Sequence, residues 1–112
     1  MKKVEAIIRP SKLKAVQEGL KNAGMPCLTV VPVKGTGLQK SYSERYRGSE
    51  QTMILQTRIM IICIVSDEKL DLCVDVFLDC AGTDQVGDGK IFVMDLHSAT
   101  RIRTGETENN AL

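Results

Sequence analysis

Two stretches in the second half of the chain combine glycine with basic residues. Gly87-Asp88-Gly89-Lys90 precedes a short apolar run, and Arg101-Ile102-Arg103-Thr104-Gly105 follows that run. Glycine lacks a Cβ, so its backbone N–H can approach a phosphate oxygen closely, while lysine and arginine supply positive charge and N–H donors. Together, these stretches predict a site that holds a polyphosphate.

The length and the charge of the chain limit what such a site can bind. With 112 residues the chain is one domain, spanning 1–112, with one core. It carries 15 Lys and Arg against 14 Asp and Glu, so no overall field attracts nucleic acid or an anionic membrane. We expect the partners to be small ligands and particular proteins, with no nucleic acid among them.

The cysteines and the apolar runs indicate a compartment. Cys27, Cys63, Cys73 and Cys80 lie in apolar patterns and form no CxxC pair, and the chain starts without the apolar core of a signal peptide. The longest apolar run, residues 59–65, is far shorter than the ~20 residues of a membrane span. We expect a reduced cytoplasmic protein with buried thiols, which meets a membrane only through a partner.

Apolar periodicity predicts a strand, a helix and a strand in each half of the chain. The first half has a strand over 4–8, a helix from Arg9-Pro10-Ser11 to Gly24 and a strand over about 27–33; the second has a strand over 58–65, a helix with Ser66 or Asp67 as N-cap and Gly82 at its end, and a strand over 90–96. This order predicts an α+β, ferredoxin-like double βαβ domain, with a four-stranded antiparallel sheet and two helices on one face.

The same spacing predicts which faces are buried. The helices present two apolar sets, Leu13, Val16, Leu20 and Ala23 in the first and Leu70, Cys73, Val74, Phe77 and Ala81 in the second. The third strand is apolar at both alternating sets of positions from 59 to 65. Since the helices cover only one face of the sheet, we expect other subunits to cover the second face, and hence an oligomer.

The segment between the halves, residues 34–57, is long and polar and holds both tyrosines. Connections of this length in compact domains are usually functional. We interpret residues 35–50 as a protruding interaction loop. The alternative is a long, partly extended hairpin with a disordered tip.

Five stretches of the chain carry a specific resemblance, namely residues 2–10, 33–37, 46–50, 86–93 and 101–106. They resemble the PII nitrogen-regulatory signal-transduction proteins, and the likeness spans the whole chain. The resemblance implies a homotrimer with ATP or ADP in the clefts between neighbouring subunits, and with 2-oxoglutarate beside MgATP. The long loop would be the family's T-loop, about 37–55, which contacts targets and changes shape with the ligand, and 106–112 would be a mobile tail.

The resemblance also implies the site residues, position by position. The nucleotide set is Ile7, Thr29, Gly35, Gly37, Leu38, Gln39, Ile64, Gly87, Asp88, Gly89, Lys90, Arg101 and Arg103. Of these, Thr29 and Ile64 would lie near the adenine, and the two arginines would reach the phosphates at the subunit boundary. The 2-oxoglutarate set is Arg9, Gln39, Arg58 and Gly87, and Gln39 would help to coordinate Mg²⁺.

Three positions depart from the family pattern. Leu38 stands where an arginine usually contacts phosphate, so one donor is lost. Arg58 stands where a lysine pairs with the distal carboxylate of 2-oxoglutarate, and its planar fork binds a carboxylate with a different geometry. Gln51 stands where many members carry the tyrosine that is uridylylated or adenylylated, which excludes control through that tyrosine.

Other loop residues predict contacts with a target. Tyr42 and Tyr46, with Arg45 and Arg47, are suited to anchor the loop on a protein, although Tyr46 could equally pack at the loop base. Ser49 is a candidate for phosphorylation because Arg45 and Arg47 would pair with the phosphate; the alternative is an ordinary exposed serine.

These residues and the resemblance together predict a nitrogen sensor that is not an enzyme. ATP, ADP and 2-oxoglutarate would bias the loop, and the loop would hold or release an ammonium channel or an enzyme or regulator of nitrogen metabolism. One alternative is an adenylate sensor indifferent to 2-oxoglutarate. A second is a small ATP-hydrolysing enzyme, disfavoured because Asp88 is the only acid in the phosphate segment.

Overall fold

The computed structural model describes residues 1–37 and 55–112, and the regular elements follow the predicted order. They are β1 (Lys2–Ile8), α1 (Leu13–Asn22), β2 (Thr29–Gly35), β3 (Gln56–Val65), α2 (Leu70–Ala81) and β4 (Lys90–Asp95). Short 3-10 helices cover Pro10–Lys12, Asp67–Lys69 and Glu108–Ala111. No helix in the two described ranges has the length and apolarity that a membrane crossing requires.

The strands form one antiparallel sheet in the order β2-β3-β1-β4, which confirms the ferredoxin-like fold. Both helices contribute to a core on one face of this sheet. β2 lies at an edge and contains Pro32. Proline has no N–H to donate to a neighbouring strand, so it is tolerated at the edge of a sheet but not at its centre.

The core has the predicted helix and strand positions, with one correction. Its buried members are Val4, Ala6, Ile8, Val16, Leu20, Met25, Ile61, Cys63, Val65, Cys73, Phe77 and Ala81. Complete burial of a side chain such as Leu20 or Phe77 contributes about 2 kcal/mol. Val74 was expected on the buried face of α2, but Val76 and Cys80 pack against the core instead, because the buried stripe of this helix turns toward α1.

Gly19 allows α1 to approach α2 closely. A Cβ at Gly19 would lie 2.7 Å from Cys80 Sγ and 2.9 Å from Val76 Cγ1. These distances are too short for a methyl group unless the neighbours move. The absence of a side chain at Gly19 therefore sets the spacing of the two helices.

The two helix-terminal glycines differ in their conformation. Gly24 adopts a φ of +81°, the left-handed conformation that often ends a helix. Gly82 also ends its helix, as predicted, but with a φ of −72° in extended backbone. A Cβ at Gly82 would instead lie 2.8 Å from the Leu78 carbonyl oxygen. At the other end, Ser66 is the N-cap of the Asp67–Lys69 turn, but its side chain makes no capping hydrogen bond.

The start of β2 corrects the prediction of buried thiols. β2 begins at Thr29, two residues later than predicted, so Cys27 belongs to the connection after α1 and is exposed. Cys63 and Cys73 are buried, and Cys80 is half-buried. A hydrogen bond with Cys73, together with burial, raises the pKa of the Cys63 thiol, so it remains protonated at neutral pH.

The second face of the sheet is rich in apolar side chains. In an antiparallel sheet, directly paired residues share a face, so Ile7, Met60 and Val31 lie together opposite the helices. Phe92 and Met94 belong to the same face and are 47% and 38% exposed. We call this surface the open face. It is the face on which the sequence predicts contact with other subunits.

Candidate functional site

A cavity of about 800 Å³ lies at one end of the sheet. Because neighbouring strands are antiparallel, the last residues of β1 and β2 meet the first residues of β3 and β4 at this end. The lining residues are Ile7, Val33, Lys34, Gly35, Thr36, Gly37, Gln56, Arg58, Gln85, Val86, Gly87, Asp88, Gly89, Lys90 and Phe92.

Strand register accounts for the floor of the cavity. Ile7 pairs with Lys90, and Val33 pairs with Arg58, so these side chains share the open face. Phe92 is two residues after Lys90 and therefore lies on the same face. The floor combines apolar surface from Ile7, Val33 and Phe92 with basic side chains at its edges.

The loop before β4 forms one wall and has an unusual backbone. Asp84, Gly87 and Gly89 have φ values of 61°, 101° and 108°. Glycine adopts such values without strain, whereas other residues rarely do. Gly89 also passes so close to β1 that a Cβ would lie 1.7 Å from the Ile7 carbonyl oxygen. Glycine is therefore required at position 89.

Asp88 holds this loop together. The Thr83 backbone N–H donates to Asp88 Oδ2 at 2.6 Å, and the Thr83 hydroxyl donates to Oδ1. Arg9 Nε donates to the same Oδ1 at 3.1 Å, and Arg9 Nη2 donates to the Val86 carbonyl at 2.9 Å. The hydrogen bonds from Thr83, followed by those from Arg9, hold the pKa of Asp88 well below its usual range, so the carboxylate is ionised at neutral pH.

Three basic residues give the cavity a positive character. Lys34, Arg58 and Lys90 all line it, and Arg58 Nη1 donates to the Thr57 carbonyl at 2.8 Å. Within residues 1–37 and 55–112, neither the Lys34 nor the Lys90 ammonium pairs with a carboxylate. The charge of Asp88 is balanced by Arg9. The cavity is therefore suited to an anion with an apolar part.

The potential metal ligands among the described residues are dispersed. In the part of the chain that the structure describes, no three His, Cys, Asp or Glu residues are grouped so that they could hold a metal ion. Any cation in the cavity would depend on oxygens from a bound anion, which is how Mg²⁺ commonly binds beside phosphates.

The structure brings eight of the predicted site residues to the cavity and leaves others outside it. Those lining it are Ile7, Gly35, Gly37, Arg58, Gly87, Asp88, Gly89 and Lys90. Arg9 lies behind the loop and contacts Asp88. Leu38, Gln39, Tyr42, Arg45, Tyr46, Arg47, Ser49 and Gln51 lie outside the described residues.

Thr29 and Ile64 are on the open face but do not line the cavity. Thr29 is four residues from Val33 along β2, and Ile64 is six from Arg58 along β3. At ~3.3 Å per residue, these separations are roughly 13 and 20 Å. Neither residue therefore lies beside the Gly87–Lys90 loop that borders the cavity in the same chain.

Arg101 and Arg103 are also remote, because β4 separates them from the Gly87–Lys90 loop. A bridge between Thr100 and Thr107 closes a turn that contains both arginines and exposes Ile102 completely. Arg101 Nη1 contacts Glu106 Oε1 at 3.4 Å, while Nη2 donates to the carbonyls of Leu112 at 3.1 Å and Ala111 at 3.5 Å. The two basic stretches expected to hold one polyphosphate thus lie at opposite ends of β4 in a single chain.

Sequence reasoning missed seven lining residues, namely Val33, Lys34, Thr36, Gln56, Gln85, Val86 and Phe92. The alternation of side chains along the strands could have identified two of them. Val33 and Phe92 share the open face with Ile7 and Lys90, but that inference needs the register between strands. The remainder lie at strand ends or in the loop, where no periodic pattern marks them.

Comparison with known proteins identifies relatives that match throughout. Residues 1–106 match the family described as nitrogen regulatory protein P-II. A protein of that name from Rhodobacter capsulatus is 46% identical, and one from Synechocystis is 47% identical. Nitrogen regulatory protein P-II 1 from Escherichia coli K12 is 45% identical. Each alignment covers 112 residues and all of both chains.

Proposed function

The chain belongs to the nitrogen regulatory protein P-II family and is a nitrogen-regulatory signal transducer, and we propose that it works by binding ATP or ADP in the cavity at the end of its sheet. The observation that carries this proposal is the juxtaposition of the glycine loop with Lys34 and Lys90. Gly87 lines the cavity without a side chain that would keep phosphate oxygens from the backbone N–H groups, Gly89 lets the loop pass close to β1, and the lysines supply charge.

A second copy of the chain would complete the site. Thr29, Ile64, Arg101 and Arg103 lie away from the cavity of their own chain, while the open face exposes apolar side chains such as Phe92 and Met94. Packing open faces together in a homotrimer would bury this surface. It would also bring Thr29, Ile64, Arg101 and Arg103 of one subunit close to the Gly87–Lys90 loop of its neighbour.

The same cavity would admit 2-oxoglutarate beside the nucleotide. Arg58 lines the cavity and can hold a carboxylate with two parallel hydrogen bonds. Mg²⁺ would be held by ligand oxygens and by Gln39. The two ligands would then report energy state and carbon–nitrogen balance together.

The output would pass through residues 37–55, and the cavity is lined by Gly37 at the start of this segment and by Gln56 directly after it. A ligand can shift a loop between two conformations only by its difference in affinity for them. Ligand contacts at the loop ends supply such a difference. The target would be an ammonium channel, or an enzyme or regulator of nitrogen metabolism, met in the cytoplasm.

Two observations favour sensing over ATP hydrolysis, one from the cavity and one from the family. Both oxygens of Asp88 accept hydrogen bonds, and its pKa is lowered mainly by Thr83, so this carboxylate is a poor general base. The family is also one of regulatory proteins. A sensor of adenylates alone is the second candidate, because Leu38 and Arg58 replace an arginine and a lysine that the family usually carries at the phosphate and the keto acid.

Calorimetric titration of the full chain with ATP and ADP, with and without Mg²⁺ and 2-oxoglutarate, tests the proposal. We expect ATP binding that tightens when Mg²⁺ and 2-oxoglutarate are present. Indifference to 2-oxoglutarate would select the adenylate sensor, and failure to bind either nucleotide would overturn both readings.

A pair of lysine variants locates the site. Lys90→Gln should weaken ATP binding about tenfold, since a charge-assisted contact to phosphate is lost. Lys14→Gln is the matched control, because Lys14 is exposed on α1 and does not line the cavity. Equal effects of the two substitutions would place the nucleotide elsewhere.

A further inference from the structure

Asp88 in the cavity wall forms an ion pair with Arg9 behind it, with Arg9 Nε and Asp88 Oδ1 3.1 Å apart. Each side chain is only 24% exposed. The guanidinium also donates to the Val86 carbonyl at 2.9 Å, and the carboxylate accepts from Thr83. The network joins the end of β1 to both ends of the loop that precedes β4.

Regular secondary structure does not fix the shape of this loop. Residues 83–89 belong to no helix or strand, and three of them adopt positive φ values. Gly89 is held by its close approach to the Ile7 carbonyl, but Gly87 would be mobile without the Arg9–Asp88 network, because glycine has the largest conformational freedom of any residue. A ligand bound by backbone N–H groups would then have to order the loop itself, which weakens binding.

Direct contact between Arg9 and a ligand is disfavoured by the same geometry. Arg9 does not line the cavity, and its Nε and Nη2 donors are directed to Asp88 and Val86. We propose that Arg9 and Asp88 are positioning residues, which hold the Val86–Lys90 backbone in the shape that receives phosphate. This inference rests on the proposed nucleotide site and gives Arg9 a different role from the 2-oxoglutarate contact predicted from the sequence.

For Asp88→Asn, a role through charge and a role in positioning predict opposite changes in the affinity for ATP. Removing a carboxylate near an anionic ligand strengthens binding by charge alone. If Asp88 positions the loop, the amide loses the charge-assisted hydrogen bonds of Arg9 and Thr83, and ATP binding weakens about tenfold. Tighter or unchanged ATP binding by Asp88→Asn would overturn the proposal.

Asp84→Asn is the matched control. It removes the same charge from the same loop, and asparagine tolerates the positive φ of residue 84. Within the described residues, the Asp84 side chain makes no hydrogen bond or ion pair. Its effect on ATP binding should be small, and an effect equal to that of Asp88→Asn would show that loop charge, not the network, is responsible.

A double-mutant cycle separates positioning from general stability. Arg9→Gln should weaken ATP binding to a similar degree, and adding Asp88→Asn should then change little, since one network is already broken. Arg9→Lys should restore little affinity, because a single ammonium cannot reproduce both donors of the guanidinium fork. Additive losses, or full recovery with lysine, would contradict the proposal.

Two further measurements apply to the loop itself. The backbone amide resonances of Gly87 and Gly89 should shift or broaden in the Arg9 variants without ligand; unchanged resonances would count against positioning.

If Asp88→Asn fails to fold, Thr83→Val removes one hydrogen bond to the same carboxylate and keeps the side-chain shape. It should still weaken ATP binding, and an unaltered affinity would overturn the proposal. If the wild-type chain bound no ATP, the proposed site itself would fail.

Discussion

Gly89 and Ile7 approach each other so closely that a Cβ on Gly89 would lie 1.7 Å from the Ile7 carbonyl oxygen. The contact fixes the first residues of β4 against the end of β1, where the cavity lies. Glycine at position 89 is therefore a requirement of the fold at the point where the loop before β4 borders the cavity.

Gly89→Ala is therefore expected to damage stability and ligand binding together. The positive φ and the steric clash should cost about 2 kcal/mol or more, and the displaced loop should lose ATP affinity. Denaturant unfolding and calorimetry measure the two effects. Gly35→Ala is the stability control, because a Cβ there meets nothing within 4 Å; equal destabilisation by both substitutions would contradict the steric argument.

The close contact of α1 with α2 gives a second prediction. Gly19→Ala should lower the free energy of unfolding by about 1 kcal/mol, because overpacking against Cys80 and Val76 outweighs the better helix propensity of alanine. Adding Cys80→Ala should recover most of the loss, since it removes the sulfur nearest to the new methyl group. Thermal or denaturant unfolding of wild type, the two single variants and the double variant tests this prediction. A Gly19→Ala protein more stable than wild type would refute it.

Acid should abolish the contribution of Asp88 to stability. Hydrogen bonds from Thr83 and then Arg9 lower the folded-state pKa of Asp88 below its unfolded value of about 3.9. The stabilisation is thus fully present above pH ~4 and is lost as the pH falls through the folded-state pKa. The free energy of unfolding of wild type should exceed that of Asp88→Asn at pH 7, and the difference should be smaller at pH 3. A difference independent of pH would show that the charge of the carboxylate does not cause the stabilisation.

The hydrogen bonds between Arg101 and the end of the chain predict competition with phosphate. If Arg101 reaches a nucleotide, it must exchange the carbonyls of Ala111 and Leu112 for phosphate oxygens. Deleting residues 109–112 should therefore tighten ATP binding about threefold, given the modest net value of such bonds. The same deletion should change nothing in an Arg101→Gln background. Calorimetry provides the test, and equal gains in both backgrounds would exclude competition at Arg101.

Charge on the open face should block assembly. Ile62 lies on that face, paired with Glu5 and Thr29, so Ile62→Asp would place a carboxylate in the proposed subunit interface. Analytical ultracentrifugation should show smaller species than wild type. Leu78→Asp is the control, because Leu78 is 60% exposed on α2, away from the sheet. An unchanged assembly of the Ile62 variant would place the interface elsewhere.

The fold was predictable from the sequence because its signals are local. Alternation in β3 and helical spacing in α1 place Ile61 and Leu20 in the core without knowledge of the partner strands. Val74 was misplaced because Leu70, Val74 and Val76 are all apolar, and contact with α1 determines which of them are buried. Cys27 was misplaced because apolar character alone did not mark where β2 begins.

The candidate site was predictable only in part. The Gly87–Lys90 loop is marked by its own residue types, but its relation to Lys34 and Phe92 depends on strand register. The separation of Arg101 from that loop depends on the length and direction of β4, which motif spacing does not convey. The Arg9–Asp88 pair joins residues 79 positions apart, a contact that only the folded chain creates.

The placement of the Gly87–Lys90 loop and of Arg101 at opposite ends of β4 has a thermodynamic consequence. If each site takes residues from two chains, subunit association and nucleotide binding are linked equilibria, so each strengthens the other by the same free energy. Apparent affinity for ATP should then fall on dilution of the protein, and saturating ATP should slow subunit exchange. Protein concentration would itself become an input to the signal.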